Sequence, residues 1–160
     1  MTLAGSDSKK RPSVGDKAAV RLTGFNKALG IEPIRAVHGE SELGLELRSE
    51  HLNSAGIVHG GVLASLLDCA AGAAIFSILP DTEFAPTTTM SISYLSAVSD
   101  GALIAKAKVQ KKGRRMVYCE SAVYSESTLL ATAQLSFMVM RRDAPSKVTP
   151  KQPKTRKSAL

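Results

Sequence analysis

The chain has 160 residues, 44% of them hydrophobic, and a formal net charge of +7, which is enough material for one domain with its own core. The charge sits at the ends: residues 141–160 hold seven basic residues against one acid and residues 1–12 hold three against one, leaving 11 basic and 12 acidic residues between them. That near-neutral middle, and a basic C-terminal stretch with no aromatic residue on which a base could stack, argue against a nucleic-acid partner.

Residues 1–14 and 142–160 are rich in Pro, Ser and Lys and poor in large apolar groups, so both are expected to be disordered, with one folded domain over 15–141. "MTLAGSDSKKRPS" has no apolar core of a secretory signal, which makes the cytoplasm the expected location. In residues 16–29, apolar positions near Ala19, Leu22, Phe25 and Leu29 among good helix formers predict a short leading helix that Gly30 ends. Next come two extended segments, 34–38 and 43–48, separated by a turn over "GES". In the second, Leu43, Leu45 and Leu47 alternate with Gly44, Glu46 and Arg48, which reads as a hairpin.

The long apolar run from Val62 to Leu79 reads as a helix. It is close to the length that spans a membrane, but Asp68 stands in its middle and small residues replace Leu and Phe, so a buried helix of a soluble domain is the expectation. Four strands follow it. In residues 86–95, Thr89, Ser91 and Ser93 alternate with Met90, Ile92 and Tyr94. "SDG" turns the chain into 102–110, with Lys106 and Lys108 on one face, and "KKGRR" turns it into 116–125. Residues 129–140 are apolar on both faces for much of their length, as expected of an inner strand. The order of helix, two strands, long helix and four strands gives an α+β domain, one sheet around one apolar helix. Cys69 and Cys119 lack metal-ligand spacing and read as small core thiols in no disulfide.

The long helix carries the chemistry. On a wheel of 3.6 residues per turn, the neighbours of Asp68 at three and four positions are Ala64, Ser65, Ala71 and Gly72, with Gly61 two turns back. All are small, whereas Leu63 and Leu66 take the opposite face and Leu67 the flank. A small front face also suits plain helix packing, but packing does not account for the acid, since a buried unpaired carboxylate costs several kcal/mol or takes up a proton. His59-Gly60-Gly61 stands where the helix begins, and unpaired backbone N–H groups there suit the oxyanion of an attacked carbonyl. Gly60 and Asp68 are eight residues apart in the chain, about 12 Å along the helix axis, so one carbonyl does not reach both. A second copy of the helix, antiparallel across a two-fold axis, supplies the missing acid.

The stretch "NSAGIVHGGVLASLLD", followed by "TTTMSISYLSAV" and "KKGRRMVYCESAVYS", resembles the hotdog-fold acyl-CoA thioesterases, in particular their phenylacetyl-CoA thioesterase-like branch, over residues 15–141. The resemblance implies a hotdog fold, one antiparallel sheet wrapped around the long central helix, in a homodimer or homotetramer. It implies hydrolysis of an acyl-CoA to a carboxylic acid and coenzyme A, with water as the second substrate and no cofactor or metal. The charge distribution and the acid within the apolar run, for their part, leave neither nucleic acid nor membrane as an expected partner. In that pattern Asp68 is the nucleophile or general base and Gly60 the amide that polarises the carbonyl. Asn53 orients water or the leaving sulfur, His59 positions by hydrogen bonding, and Thr87 is the hydroxyl beside the water. Gly61 and Ser65 line the substrate, and Arg114 and Arg115 of the basic turn meet the coenzyme A phosphates. On residue type alone, Asn53 also caps a turn, His59 is also structural, Thr87 is a plain strand residue and the basic run a solvated face. A non-catalytic acyl-CoA-binding module on the same scaffold is the alternative function.

Overall fold

Two consecutive left-handed residues, His38 at φ 52° and Gly39 at φ 80°, close the first hairpin. The type I′ form of a two-residue hairpin turn needs positive φ at both central positions, which glycine adopts freely and histidine more readily than a β-branched residue. The turn joins β1 (Glu32–Val37) to β2 (Glu40–Glu46), and Val37 and Glu40 face each other across it. The turn expected over "GES" therefore falls earlier, since Glu40 and Ser41 are already ladder residues.

The computed structural model describes residues 24–142. The basic ends and most of the leading helix lie outside the described residues, and the described part of that helix is the single turn α1 (Phe25–Ala28). After β2 come a 3-10 turn (Ser49–His51), the long helix α2 (Gly60–Phe76), and β3 (Glu83–Phe84), β4 (Thr87–Tyr94), β5 (Ala102–Lys112), β6 (Met116–Ser125), β7 (Thr128–Met138) and β8 (Met140–Arg141). Six strands form one antiparallel sheet in the order β1-β2-β5-β6-β7-β4, which leaves β1 and β4 at its edges. The run expected over 129–140 breaks at Val139, and the chain leaves the sheet there so that β8 pairs with β3.

The sheet curls around α2 as one face of alternating strands demands. Leu43 and Leu45 of β2, Leu103 and Ala105 of β5, and Val117, Cys119 and Val123 of β6 all bury against the back of the helix, where Leu63, Leu66, Leu67, Ala70 and Ala74 lie. Burying Leu66 and Leu67 completely contributes about 2–3 kcal/mol each. Ser41 reaches into the same layer and donates its hydroxyl to Ala70 C=O at 2.6 Å. Strand β7 is an inner strand that buries Ala131, Ala133, Leu135 and Phe137, together with Leu130 at the register shift opposite Val123 and Tyr124, while Gln134 and Met138 are exposed. Among the described residues no helix is long and apolar enough to cross a membrane.

Candidate functional site at the start of the long helix

Local hydrogen bonding fixes the entry to α2. Asn53 Oδ1 accepts from the N–H groups of Ala55 (2.9 Å) and Ile57 (3.3 Å), which folds residues 53–57 into a tight loop with Gly56 at φ 74°. This is the turn-capping use of asparagine. It occupies the side-chain oxygen and leaves the amide NH₂ as a donor. The loop returns beside the 3-10 turn, where His59 N–H donates to His51 C=O at 2.8 Å.

His59 is the N-cap of α2: its Nδ1 accepts from Gly61 N–H at 2.9 Å. A Cβ on Gly61 would stand 2.9 Å from that same Nδ1, so glycine is what lets the ring close over the helix end. The cap has a chemical consequence for the two candidate amides. Gly61 N–H is occupied by His59, while Gly60 N–H donates to no group among the described residues. Of the two, Gly60 offers the open donor at the positive end of the helix. Ser65, one turn on, donates its hydroxyl to Gly61 C=O at 2.8 Å.

Asp68 is half-buried rather than buried, because the strand that faces it is the sheet's edge strand β4. It is also partnered: Thr87 Oγ1 donates to Asp68 Oδ1 at 2.7 Å. That contact depends on a bulge. Strict alternation would set Thr87 with Thr89, Ser91 and Ser93, but the register shifts between Thr87 and Thr89, where Thr88 and Thr89 both bond Ser136. Thr87 pairs with buried Phe137 and so joins Met90, Ile92 and Tyr94 on the helix side. Re-aiming one side chain is a common use of a bulge.

The other candidates stand apart from this group. Arg114 and Arg115 lie in the exposed turn between β5 and β6 and form no ion pair among the described residues. Lys106 and Lys108 of the same basic run are paired across the sheet's outer face with Glu42 (3.8 Å) and Glu40 (3.0 Å), and the bond from Lys108 holds the Glu40 carboxyl below its usual range. Among the described residues no three His, Cys, Asp or Glu side chains are grouped to hold a metal ion. Burial pushes the thiol of Cys69 up to about 12, with the Asp68 charge adding to the effect, and burial likewise takes Cys119 to about 12.

Two residues that sequence reading did not single out complete the surroundings. His51 is buried and its Nδ1 accepts from Arg48 N–H at 3.1 Å, so an imidazole anchors the loop that carries the cap. Tyr94, at the end of β4, donates its hydroxyl to Gly60 C=O at 3.2 Å. No local pattern announces either; both contacts come from loop return and strand register.

The Thioesterase superfamily model matches residues 55–132, which contain Gly60, Asp68 and Thr87. A protein of Halobacterium salinarum named "Putative esterase" is 34% identical over 132 residues, covering 75% of this chain and 87% of its own. Human acyl-coenzyme A thioesterase 13 is 27% identical over 122 residues, covering 74% and 85%. Among solved structures, a single-site variant of the phenylacetic acid degradation protein of Thermus thermophilus superposes with a TM-score of 0.67 at 28% identity, covering 71% of this chain and 96% of that one. The sheet wrapped on α2, the capped Gly60 turn and these likenesses agree: the chain belongs to the thioesterase superfamily, in its hotdog-fold branch of phenylacetic acid degradation-related enzymes, and is a thioester hydrolase.

Proposed function

We propose that the chain hydrolyses an acyl-CoA thioester to a carboxylic acid and free coenzyme A, in a site shared between two copies. The observation that carries the shared site is how the ends of α2 and β4 pair. Gly60 opens α2 beside Tyr94 at the end of β4, and Asp68 lies midway along α2 beside Thr87 at the start of β4. A free edge strand is a template for pairing with another chain. If β4 pairs antiparallel with its own copy about a two-fold axis, the Tyr94 end of one strand meets the Thr87 end of the other. Gly60 of one chain then faces Asp68 of the partner subunit, whereas within one helix the two are about 12 Å apart. Acyl-CoA as the substrate class is supported by the activity named for the human relative.

The thioester oxygen would accept from Gly60 N–H, which draws electron density from the carbonyl carbon. Asp68 of the partner subunit either takes the proton of a water that attacks this carbon or attacks it directly. Through its hydroxyl, Thr87 holds one carboxylate oxygen, so the other is directed at the water. The tetrahedral oxyanion collapses, the C–S bond breaks, and the leaving sulfur takes up the proton that Asp68 accepted from water. On the direct route the sulfur takes a proton from solvent and a water then cleaves the acyl–aspartyl anhydride, so that either way the products are the carboxylic acid and free coenzyme A. The Asn53 NH₂ is a donor suited to that sulfur, and Arg114 and Arg115 offer charge for the nucleotide phosphates.

Mixing two inactive variants tests this directly. Asp68→Asn removes the base. Gly60→Pro removes the N–H and suits the local backbone, because the first helical position tolerates proline and His59, at ψ 133°, already has the extended backbone that precedes one, while the added Cβ would stand in ordinary contact, 3.4 Å, with the Tyr94 ring. Each variant is expected to lose at least ~10² in kcat. Co-expressed in equal amounts, they should recover about a quarter of wild-type activity, since half the dimers are hybrid and each hybrid has one intact site. A mixture that forms hybrid dimers yet stays as inactive as its components would overturn the shared site.

A further inference from the structure

We propose that Tyr94 is a specificity-determining residue that contacts the acyl group beside the reacting carbonyl and selects apolar acyl chains over acetyl. The inference rests on the hydrolysis proposed above and adds the part of the substrate that the site reads. Its basis is the position of the ring. A Cβ built on Gly60 would stand 3.4 Å from both Cε1 and Cζ of Tyr94, so the ring packs directly beside the residue with the open N–H. The hydroxyl is tied to Gly60 C=O at 3.2 Å, which fixes the ring's orientation. In spite of both contacts Tyr94 remains 54% exposed within one chain, on the helix side of β4.

A carbonyl oxygen about 2.9 Å from Gly60 N places its carbon, and the first atoms bonded to that carbon, within van der Waals reach of a ring that already lies against this glycine. What the ring offers there is a flat apolar surface with its one polar group already engaged. An alkyl or aryl chain gains by covering it; an acetyl group is too short to cover much of it. A rigid aromatic wall held by a hydrogen bond at its far end loses little entropy when a chain packs on it.

The test uses the full-length protein with acetyl-CoA, butanoyl-CoA and phenylacetyl-CoA, and a non-hydrolysable phenylacetyl thioether analogue of coenzyme A. In Tyr94→Ala the ratio of kcat/KM for phenylacetyl-CoA to that for acetyl-CoA should fall at least ~10-fold, while Tyr94→Phe stays within ~3-fold of wild type. Calorimetry should show Tyr94→Ala weakening the thioether ~10-fold with free coenzyme A changed less than ~2-fold. If Tyr94→Ala fails to fold, Tyr94→Leu, which keeps the bulk without the plane, gives the same reading. Unchanged substrate ratios with unchanged thioether affinity would overturn the proposal. Should the wild type release no thiol from any of the three esters, the hydrolytic function falls, and the thioether comparison still decides whether Tyr94 contacts the acyl group.

Discussion

Strands β6 and β4 carry the same two-residue period and end in different surroundings. In β6, Val117, Cys119, Ser121 and Val123 are buried one after another between β5, β7 and α2. In β4, Met90, Ile92 and Tyr94 take the equivalent face, yet Ile92 alone is even half-buried. The reason is position: β6 is flanked on both sides, whereas β4 has β7 on one side and a free edge on the other. Alternation reports which face of a strand is apolar and says nothing of what covers it. Where the chain leaves that face open, the residues given to the site are found, namely Thr87, Asp68, Gly60 and Tyr94.

The comparison breaks most readily at its closed side. Leu66, fully buried against β2, β5 and β6, should cost about 3 kcal/mol when cut to alanine, read as a lower urea midpoint at unchanged slope. Met90→Asp is the counterpart on β4. It places a charge on a face that this chain leaves open, and the expected result is a halved sedimenting mass with the helical signal retained. A Met90→Asp protein that keeps its mass but unfolds as readily as Leu66→Ala would show that β4 is closed within one chain.

The same contrast sets what could be read in advance. The back of α2 was legible because Leu63, Leu66 and Leu67 cluster at helical spacing, and most strands because apolar residues alternate between Gly- and charge-rich turns. Asp68 stood out as the one acid in an apolar run. Its state did not: the half-exposure follows from β4 being an edge, and strand order is not written in local periodicity. Nor does pattern place Thr87, which alternation sends to the outer face and the bulge at Thr88 returns to the helix; resemblance to a family named it, and register explains it. The different fates of the Gly60 and Gly61 amides turn on the rotamer of His59, beyond the reach of any spacing rule.

Thr87 and Thr88 therefore form a sharper, smaller test of the open side. Thr87→Val keeps shape and removes the hydroxyl that donates to Asp68, so kcat should fall about tenfold with KM and thermal midpoint nearly unchanged. Thr88→Val removes a hydroxyl bonded to Ser136 on the outer face and should leave kcat within about twofold. Equal losses in the two variants would mean that the bulge does not separate their roles.

The smallest effect is confined to alkaline solution and compares one thiol from each region, Cys69 on α2 beside Asp68 and Cys119 in the core face of β6. Both are pushed from 9.0 to about 12, chiefly by burial, so the folded chain holds these protons more tightly than the unfolded chain does. The associated stability is complete below pH 9 and is lost as pH rises toward 12. Other groups titrate in that range, so the quantity to measure is a difference: the urea midpoint of wild type minus that of Cys69→Ala/Cys119→Ala, at pH 7.5 and again near pH 10.5. The wild type should lose more of its midpoint over this interval than the double variant. Cys119→Ala alone should remove its share of the alkaline loss without altering kcat. For Cys69 the outcome discriminates, because its thiol donates to Asn26 Oδ1 at 3.1 Å and sits next in sequence to the proposed base. If Cys69→Ala leaves kcat unchanged while removing its part of the alkaline loss, the acid is held by Thr87 from the β4 side and owes nothing to the thiol behind it.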